Sequence, residues 1–113
     1  MPDFHLEWLP ETEPGVRVLK LAGPFTLHAV FEFQHLVRES TGPLTIVDIS
    51  EVPYMDSAAL GSLLTLHVSC QTHKRKYALI GTCDRVKTLF RVAGVGGMLV
   101  LADSVEQAKA TAA

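Results

Sequence analysis

The sequence holds few cysteines, and neither sign of charge dominates it. Cys70 and Cys83 are the two cysteines among 113 residues and lack a C-x-x-C spacing, so we expect reduced thiols that act as small core side chains. Ten lysines and arginines stand against 12 aspartates and glutamates, which argues against the basic face of a nucleic-acid-binding protein. No apolar run reaches the roughly 18 residues of a membrane span, and the polar N-terminal residues do not resemble a signal peptide. These absences predict a cytoplasmic protein that contacts neither nucleic acid nor membrane.

Motifs for metal binding and catalysis are also missing. The five histidines form no H-x-x-x-H or H-E-x-x-H pair; they are His5, His28, His35, His67 and His73. No serine lies in a G-x-S-x-G elbow. Residues 94–97 (GVGG) follow a predicted helix rather than open one, unlike a dinucleotide-binding loop. We therefore expect no metal, no cofactor and no enzymatic activity.

What the chain does have is enough apolar sequence for one core. Hydrophobic residues make up 48% of it and charged residues 19%, so residues 1–113 are predicted to form a single domain. Residues 4–9 and 16–22 alternate apolar and polar side chains, which predicts two strands that pair across a turn at 10–15. Further strands are predicted at 44–49, 77–80 and 98–101, and helices at 27–40, 57–73, 84–93 and after 104. This order predicts an α/β fold: a mixed, mostly parallel sheet of about five strands with about four helices against it.

The helices have predicted caps and apolar faces. Thr26 and Asp84 are predicted N-caps of the first and third helices, and Asp103 and Ser104 begin a capping box for the last one. Gly94 is predicted to end the third helix. The apolar faces are predicted as follows: Leu27, Val30, Phe31 and Val37 in the first helix; Leu60, Leu63, Leu64 and Val68 in the second; Val86, Leu89, Phe90 and Ala93 in the third.

The most informative stretch is residues 46–64, IVDISEVPYMDSAALGSLL. A buried strand ends near Asp48, a short loop containing a proline follows, and Asp56-Ser57 stands at the entrance of a helix. Taken alone, Asp-Ser before an apolar helix is typical of an N-cap. A serine there also lies beside unpaired backbone N–H groups, so a phosphate on it would interact favourably with the helix dipole.

This stretch resembles the signature of STAS domains, a family that includes bacterial anti-sigma-factor antagonists. The family pattern is D-hydrophobic-S/T after a strand, then D-S-[ST or A]-G-L-G opening a helix. Here these are Asp48-Ile49-Ser50 and residues 56–61, DSAALG. Residues 89–95, LFRVAGV, resemble the family's later L-F-x-x-[ST or A]-G-hydrophobic helix end. The resemblance covers nearly the whole chain and implies a single STAS domain.

The resemblance also implies a function. It makes Ser57 the position phosphorylated by a partner, an anti-sigma factor with serine-kinase activity and a histidine-kinase-like ATPase fold. The unphosphorylated protein would bind that partner, the phosphorylated protein would release it, and a PP2C-type phosphatase would reset the switch. Phosphorylation would add roughly 1.5 to 2 negative charges beside Asp56.

Two segments are predicted to form the partner-binding surface, because both follow strands that end at the same edge of the sheet. One is the helix start and the other is the loop after the second strand; their residues are Asp56, Ser57, Ala58, Ala59, Leu60 and Gly61, and Gly23, Pro24, Phe25 and Thr26. Phe25 is either an exposed anchor or a core residue, and Tyr54 and Met55 face the same choice, with Met55 expected in the core. Arg85 and Lys87 either extend this surface or lie on a solvated helix face.

The segment departs from the family pattern at three places. Ala59 replaces the usual glycine, Ala58 removes a second hydroxyl, and no acidic residue follows Gly23 within the next three positions. Two alternative functions therefore stay open. In the first, the domain is a sensor of a small ligand or nucleotide. In the second, it is a scaffold within a larger signalling assembly. Stabilisation by a ligand would indicate the first, and a stable high-mass assembly the second.

Overall fold

Strands and helices alternate along the chain after an initial hairpin. A computed structural model describes residues 4–11, 13–40 and 42–112. Its elements are β1 (His5–Trp8), β2 (Val16–Ala22), α1 (Leu27–Glu39), β3 (Leu44–Glu51), α2 (Ser57–Thr72), β4 (Lys76–Ile80), α3 (Asp84–Val92), β5 (Leu101–Ala102) and α4 (Val105–Thr111). The predicted α/β class and order of elements are confirmed.

The five strands form one mixed sheet in the order β1-β2-β3-β4-β5. β1 pairs with β2 antiparallel, and every later pair is parallel. In the centre of the sheet Leu19, Val47 and Leu79 lie in register across β2, β3 and β4. β3 is buried along its first four residues, as its continuous apolar run predicted, because helices cover both faces of a parallel sheet.

Two apolar clusters lie on opposite faces of the sheet. The larger one joins one face to α1, α2 and α3 and includes Phe33, Leu63 and Phe90. The smaller one joins the other face to α4 through Ala108. Alternation along β3 divides its side chains between the two, with Ile46 in the smaller cluster and Val47 in the larger.

The last strand differs from its prediction. The apolar run at 98–101 predicted a strand, but β5 is Leu101–Ala102. The amides of Met98 and Leu99 both donate to the carbonyl of Val95, so this run begins as a tight turn. The turn buries Leu99 and leaves Met98 52% exposed. A local hydrogen-bonded turn therefore replaces the predicted pairing with β4 at Met98 and Leu99, whereas Val100 O accepts from the amide of Leu79 and Leu101 pairs with Leu79.

Two predicted apolar faces are partly wrong. On α1, Leu27 is 58% exposed and Phe31 is 81% exposed, while Ala29 and Phe33 are buried. On α2, Val68 is 58% exposed; the buried positions are Ala59, Leu60, Ser62, Leu63, Leu66 and Cys70. In both helices small residues lie on the buried face, because α1 and α2 pack on the sheet and on each other. Small residues permit that close approach, and apolarity alone does not identify them.

The helix ends follow the predictions with one shift. The N-cap of α3 is Cys83, so Asp84 lies in the first turn, where its carboxylate interacts favourably with the helix dipole. The helix ends at Val92, and Gly94 follows with φ 75°. Ala93 is the exposed C-cap and does not join the apolar face.

The last helix begins with the predicted capping box. Ser104 Oγ accepts from the amide of Gln107 at 3.1 Å, and Gln107 Oε1 accepts from the amide of Asp103. Both bonds satisfy backbone N–H groups that the first turn of a helix would otherwise leave unpaired. Of the two candidates, Ser104 is therefore the N-cap.

Buried thiol and phenol groups lie between α2 and the sheet. Cys70 is buried and Cys83 is half-buried, and both are free thiols. Burial raises the pKa of the Cys70 thiol, opposed by the nearby Arg75 cation. Burial likewise raises the pKa of the Tyr77 phenol, whose oxygen accepts from the amide of Val100 at 3.1 Å. Cys70 is thus a core side chain, as predicted.

Candidate functional site

The pairing of β2 with β3 continues into the loops that follow them. The amide of Gly23 donates to Glu51 O at 2.9 Å, and the amide of Phe25 donates to Tyr54 O at 3.1 Å. The amide of Asp56 then donates back to Phe25 O at 3.2 Å. These bonds hold the 23–26 loop against the segment that leads into α2. The two segments predicted to form one surface are therefore brought together.

Gly23 allows the chain to leave the sheet at this point. Its φ is 96°, a backbone conformation that side-chain-bearing residues rarely adopt. The turn directs Pro24 and Phe25 across the end of β3 instead of away from it. The glycine thus has a structural role in bringing the loop to α2.

One carboxylate caps two helices. Asp56 Oδ1 accepts from the amide of Ala59 at 2.9 Å, which caps α2. Asp56 Oδ2 accepts from the amide of Leu27 at 3.0 Å, at the start of α1. Thr26 occupies the N-cap position of α1, as predicted, but its side chain makes no capping bond. The Asp56 side chain takes that place, which ties the starts of α1 and α2 to each other.

The N-cap of α2 is Asp56 and not Ser57. Ser57 is the first residue of α2 and is exposed, so its alternative interpretation as the N-cap is wrong. Within the described ranges its hydroxyl has no hydrogen-bond partner, and no acceptor meets the amides of Ser57 and Ala58. An exposed hydroxyl thus lies beside unpaired backbone donors at the positive end of a helix.

The other predicted site residues divide between surface and core. Phe25 is fully buried, with its ring 5.4 Å from that of Phe4 and 5.1 Å from that of Phe33. It is therefore a core residue, and the exposed-anchor interpretation is wrong. The side chains of Ala59 and Leu60 are also buried, because they face the sheet from the first turn of α2, so they are not available to a partner. The predicted residues that keep accessible surface are Gly23, Pro24, Thr26, Asp56, Ser57, Ala58 and Gly61.

Two exposed apolar side chains beside this surface were not predicted to belong to it. Leu27 follows Thr26 directly, and Phe31 lies one helical turn further on the same face of α1. Their four-residue spacing predicts a core-facing position, and this prediction is wrong because both side chains are exposed. The signal that distinguishes them is the competing small-and-aromatic stripe of Ala29 and Phe33, which is the face that packs.

The neighbouring helix supplies one of the two predicted basic residues. The guanidinium of Arg85 lies 5.0 Å from the ring centroid of Tyr54, a cation–π distance. Tyr54 is partly exposed and Met55 is buried, as expected for Met55. Lys87 instead lines a separate groove with Arg91 and Leu101. Arg85 thus extends the site through Tyr54, and Lys87 lies on another part of the surface.

The first half of the motif shapes the end of β3. Asp48 Oδ1 accepts from the amide of Ser50 at 2.9 Å, which forms a local turn between side chain and backbone. Gly81, after β4, lies directly against this turn: a Cβ at Gly81 would be 2.6 Å from Ser50 Cβ and 2.7 Å from its amide nitrogen. Asp48 and Gly81 therefore support the loop that leads to Ser57.

The candidate site presents one exposed hydroxyl, that of Ser57, beside the Asp56 carboxylate at the start of α2. Among the described residues, no three His, Cys, Asp or Glu side chains converge as metal ligands. Over the same part of the chain, no helix is both long enough and apolar enough to cross a bilayer.

This fold and this serine define an α/β domain of the STAS class. The family model for the STAS domain matches residues 7–108, and the chain belongs to that family.

Similar proteins include anti-sigma-B factor antagonists of Listeria monocytogenes and Listeria innocua. Each is 28% identical over 75 residues, which is 66% of this chain and 66% of the relative. A solved Thermotoga maritima protein matches with a TM-score of 0.82 and 15% identity over 93% of this chain and 92% of that one. The structure of the anti-sigma factor antagonist SpoIIAA in its unphosphorylated form matches with a TM-score of 0.72 and 21% identity, over 95% of this chain and 93% of that one. The phosphorylated form of Bacillus SpoIIAA matches with a TM-score of 0.68 and 20% identity, over 96% of this chain and 97% of that one.

Proposed function

We propose that this protein is an anti-sigma-factor antagonist that is switched by phosphorylation of Ser57. The observation that carries the proposal is the free Ser57 hydroxyl at a helix start whose cap is already supplied by Asp56. The proposal is supported by the Listeria relatives, named as antagonists of an anti-sigma factor. It is also supported by the existence of SpoIIAA in phosphorylated and unphosphorylated forms.

The proposed reaction needs a partner that supplies ATP and a base. Ser57 Oγ attacks the γ-phosphorus of ATP, the new Oγ–P bond forms, and the bond from that phosphorus to the bridging oxygen of ADP breaks. The hydroxyl proton passes to the base of the partner, and ADP leaves. The proposed partner is an anti-sigma factor with serine-kinase activity. A PP2C-type phosphatase then directs water to the phosphorus, which restores serine and releases inorganic phosphate.

Release of the partner would follow from charge rather than from unfolding. The phosphoserine would carry roughly 1.5 to 2 negative charges and would lie near the unpaired amides of Ser57 and Ala58, which stabilise an anion at a helix start. The helix would therefore stay folded. In a closed interface, however, the same charge would lie beside the Asp56 carboxylate and would lose its water, so binding would weaken.

The proposed docking surface surrounds Ser57. It consists of the accessible residues of the 23–26 loop and of the α2 start, together with the exposed side chains of Leu27, Phe31 and Tyr54. Apolar groups ringed by polar ones are typical of protein-binding patches. The methyl of Ala59 points into the core, so the departure from the family glycine leaves this surface unchanged. We propose that the protein acts here, in the cytoplasm, without direct contact to nucleic acid or membrane.

The proposal is tested by affinity capture from native cells with the wild type, Ser57→Ala and Ser57→Asp as baits. Ser69→Asp is a matched control, because Ser69 is an exposed serine of the same helix. We expect the wild type, Ser57→Ala and Ser69→Asp to retain an ATPase-fold serine kinase, and Ser57→Asp to lose at least 90% of it. Protein recovered from the same cells should carry phosphate on Ser57 by mass spectrometry.

Other outcomes would contradict the switch. If all four baits capture the same proteins equally, Ser57 does not control binding, and a scaffold role fits the chain better. If Ser69→Asp loses the partner as fully as Ser57→Asp does, any added charge on α2 is disruptive. Far-ultraviolet circular dichroism of each bait separates both results from misfolding.

A further inference from the structure

A polar groove lies between α1 and α2 at the end of these helices that is remote from Ser57. Its volume is about 210 Å³, and its walls come from the C-terminal half of α1, from α2 between Ser62 and its C-terminal end, and from the start of β3 and the turn before β4. Ser62 is the lining residue nearest to Ser57 along α2, more than one turn away, and His73 lies beyond the other end of the helix. The groove is therefore separate from the proposed switch.

Basic side chains are concentrated in this groove. Arg38, His73 and Arg75 line it, and no carboxylate of the described residues does, although acidic residues outnumber basic ones in the whole chain by 12 to 10. Part of this charge has a structural role. One nitrogen of His73 donates to Ser69 O at 2.9 Å, and Arg75 Nη1 donates to Ser40 O at 2.8 Å. Both bonds satisfy carbonyls near the C-terminal ends of helices.

The structural role does not account for all of the basic groups. Arg38 makes no hydrogen bond or ion pair with any residue that the structure describes. Arg75 uses one of its five N–H donors in the bond to Ser40. Two guanidinium groups thus border one small groove, from α1 and from the turn before β4, with donors to spare. Guanidinium groups match the geometry of phosphate and carboxylate anions, which proteins often bind with arginine.

The inner wall of the groove is also polar. The three polar residues that are buried in the described part of the chain, Ser40, Thr45 and Ser62, all line it. Ser40 Oγ and Thr45 Oγ1 lie 3.2 Å apart and share a hydrogen bond, and Ser62 Oγ donates to Ala59 O at 2.6 Å. Apolar side chains of the same size would pack these helices at lower desolvation cost. Hydroxyl groups here are suited to a polar occupant.

We propose that this groove binds a small phosphorylated anion through Arg38 and Arg75. The tetrahedral phosphoryl group has enough oxygens to accept from both guanidinium groups and from a hydroxyl of the wall. A volume of about 210 Å³ is smaller than the usual 300–1,000 Å³ of drug-sized ligand sites. The occupant is therefore inorganic phosphate or a compact phosphate monoester rather than a nucleoside triphosphate. Binding would draw α1 and the turn before β4 together, independently of the state of Ser57.

The test is a titration of the ¹⁵N-labelled full chain, followed by amide chemical shifts. Sodium phosphate and ribose 5-phosphate are the probes, and sodium chloride at equal ionic strength is the control. We expect saturable shifts at residues 38–40, 62–69 and 73–75 with phosphate and not with chloride. Arg38→Gln should weaken binding at least tenfold, because it removes charge-assisted hydrogen bonds.

Matched variants keep the outcome interpretable. Arg38 is exposed and makes no hydrogen bond or ion pair with the described residues, so we expect Arg38→Gln to fold. Arg75→Lys keeps the charge and should bind at an intermediate level. Arg91→Gln, which removes an exposed charge of α3, should bind as the wild type does. Shifts that chloride reproduces, shifts centred on Ser57 and Ala58, or affinity unchanged in Arg38→Gln would each overturn the proposal.

The two probes also identify the source of the phosphoryl group. Tighter binding of ribose 5-phosphate supports a metabolite with a sugar moiety, and equal binding supports inorganic phosphate itself. Ser57→Ala should bind both probes with wild-type affinity, because the groove does not include Ser57. Failure of the phospho-switch would therefore leave this site intact, and failure of this site would leave the switch intact.

Discussion

The two ends of the α1–α2 pair use polar groups in opposite ways. At the start of these helices, the Asp56 carboxylate accepts from the first turn of both helices, and backbone hydrogen bonds pair the adjoining loops. The Ser57 hydroxyl makes no hydrogen bond with the described residues. At the far end, hydroxyl groups are buried, and the guanidinium groups of Arg38 and Arg75 have more donors than the protein uses. One end is ordered around Ser57, the residue that we propose is phosphorylated. The other end is the groove that we propose binds a phosphorylated anion.

Helix polarity explains why the charges differ. In a right-handed β-α-β unit the helix runs back across the sheet, so helix starts gather where the parallel strands end. The positive end of the dipole then lies near Asp56 and Ser57, and favours anions there; the negative end lies near Arg38 and His73, and favours cations. The helix dipole that would stabilise a phosphate near Ser57 would therefore destabilise one in the groove. Arg38 and Arg75 must overcome this field, which is why Arg38→Gln is the decisive variant.

The largest expected effect is that of Gly81→Ala, at the end of the sheet where Ser57 lies. Gly81 has φ 81°, and a Cβ there would lie 2.7 Å from the backbone nitrogen of Ser50. We expect a loss of about 3 kcal/mol in the free energy of unfolding, from strained backbone and a clash that no side-chain rotation relieves. Urea unfolding measures it. The matched control is Gly61→Ala, where a Cβ meets nothing within 4 Å, and a helical alanine should add about 0.5–1 kcal/mol. Equal effects of the two variants would contradict the proposed role of Gly81.

Asp56→Ala should have the next largest effect. It removes a cap from α1 and a cap from α2, so we expect a loss of about 2 kcal/mol, roughly 1 for each cap. Asp56→Asn keeps one carbonyl oxygen as an acceptor and should lose about half as much. Asp84→Ala is the control, because Asp84 lies in the first turn of α3 without capping it. If Asp56→Asn is as stable as the wild type, the second bond, to Leu27, contributes nothing.

The smallest expected effect is at the end of the α1–α2 pair that is remote from Ser57, and it depends on pH. Burial raises the pKa of Cys70 and of Tyr77 in the folded state, so their neutral forms stabilise the fold below their unfolded values. That stability is lost as pH rises from about 8.5 for the thiol and about 10 for the phenol toward the raised folded values. The melting temperature should therefore fall between pH 8 and pH 10.5. Cys70→Ala should fall less over this interval than the wild type, whatever its stability at pH 7, and an identical fall would contradict the assignment to Cys70.

Much of the fold was predictable because its signals are local. The alternation in β2, the continuous apolar run of β3 and the helical spacing of α3 each depend on neighbours within a few residues, and all three elements form where predicted. The capping box at Ser104 and Gln107 is equally local. The errors occur where long-range packing overrides the local pattern. Met98 and Leu99 are apolar enough for a strand but lie in a turn, because Val95 and Leu99 pack into the larger cluster, and β5 begins only at Leu101.

The candidate site was predicted in outline and corrected in detail. The motif predicted that Ser57 lies at a helix start, and the shared edge of the sheet predicted that the 23–26 loop lies beside it. The burial of Phe25 could not be predicted, because it depends on contacts with the rings of Phe4 and Phe33, which other parts of the chain bring to it. The exposure of Phe31 has a signal in the sequence, the competing stripe of Ala29 and Phe33 on the face of α1 that packs.

The sequence by itself determined the order of elements, the membership of the STAS family and the position of one serine at a helix start. The order of elements and the helix start follow from periodicity, turn residues and caps, which act over a few bonds of the chain. The family membership follows instead from the resemblance of residues 46–64 and 89–95 to the STAS signature and from the family match over residues 7–108. Only the tertiary structure decided that Asp56 also caps α1, since that bond joins residues 29 positions apart. It likewise decided which aromatic side chains are exposed, and it assembled Arg38 and Arg75 around one groove. Such arrangements depend on how completed helices pack on the sheet, and that packing is a property of the whole chain.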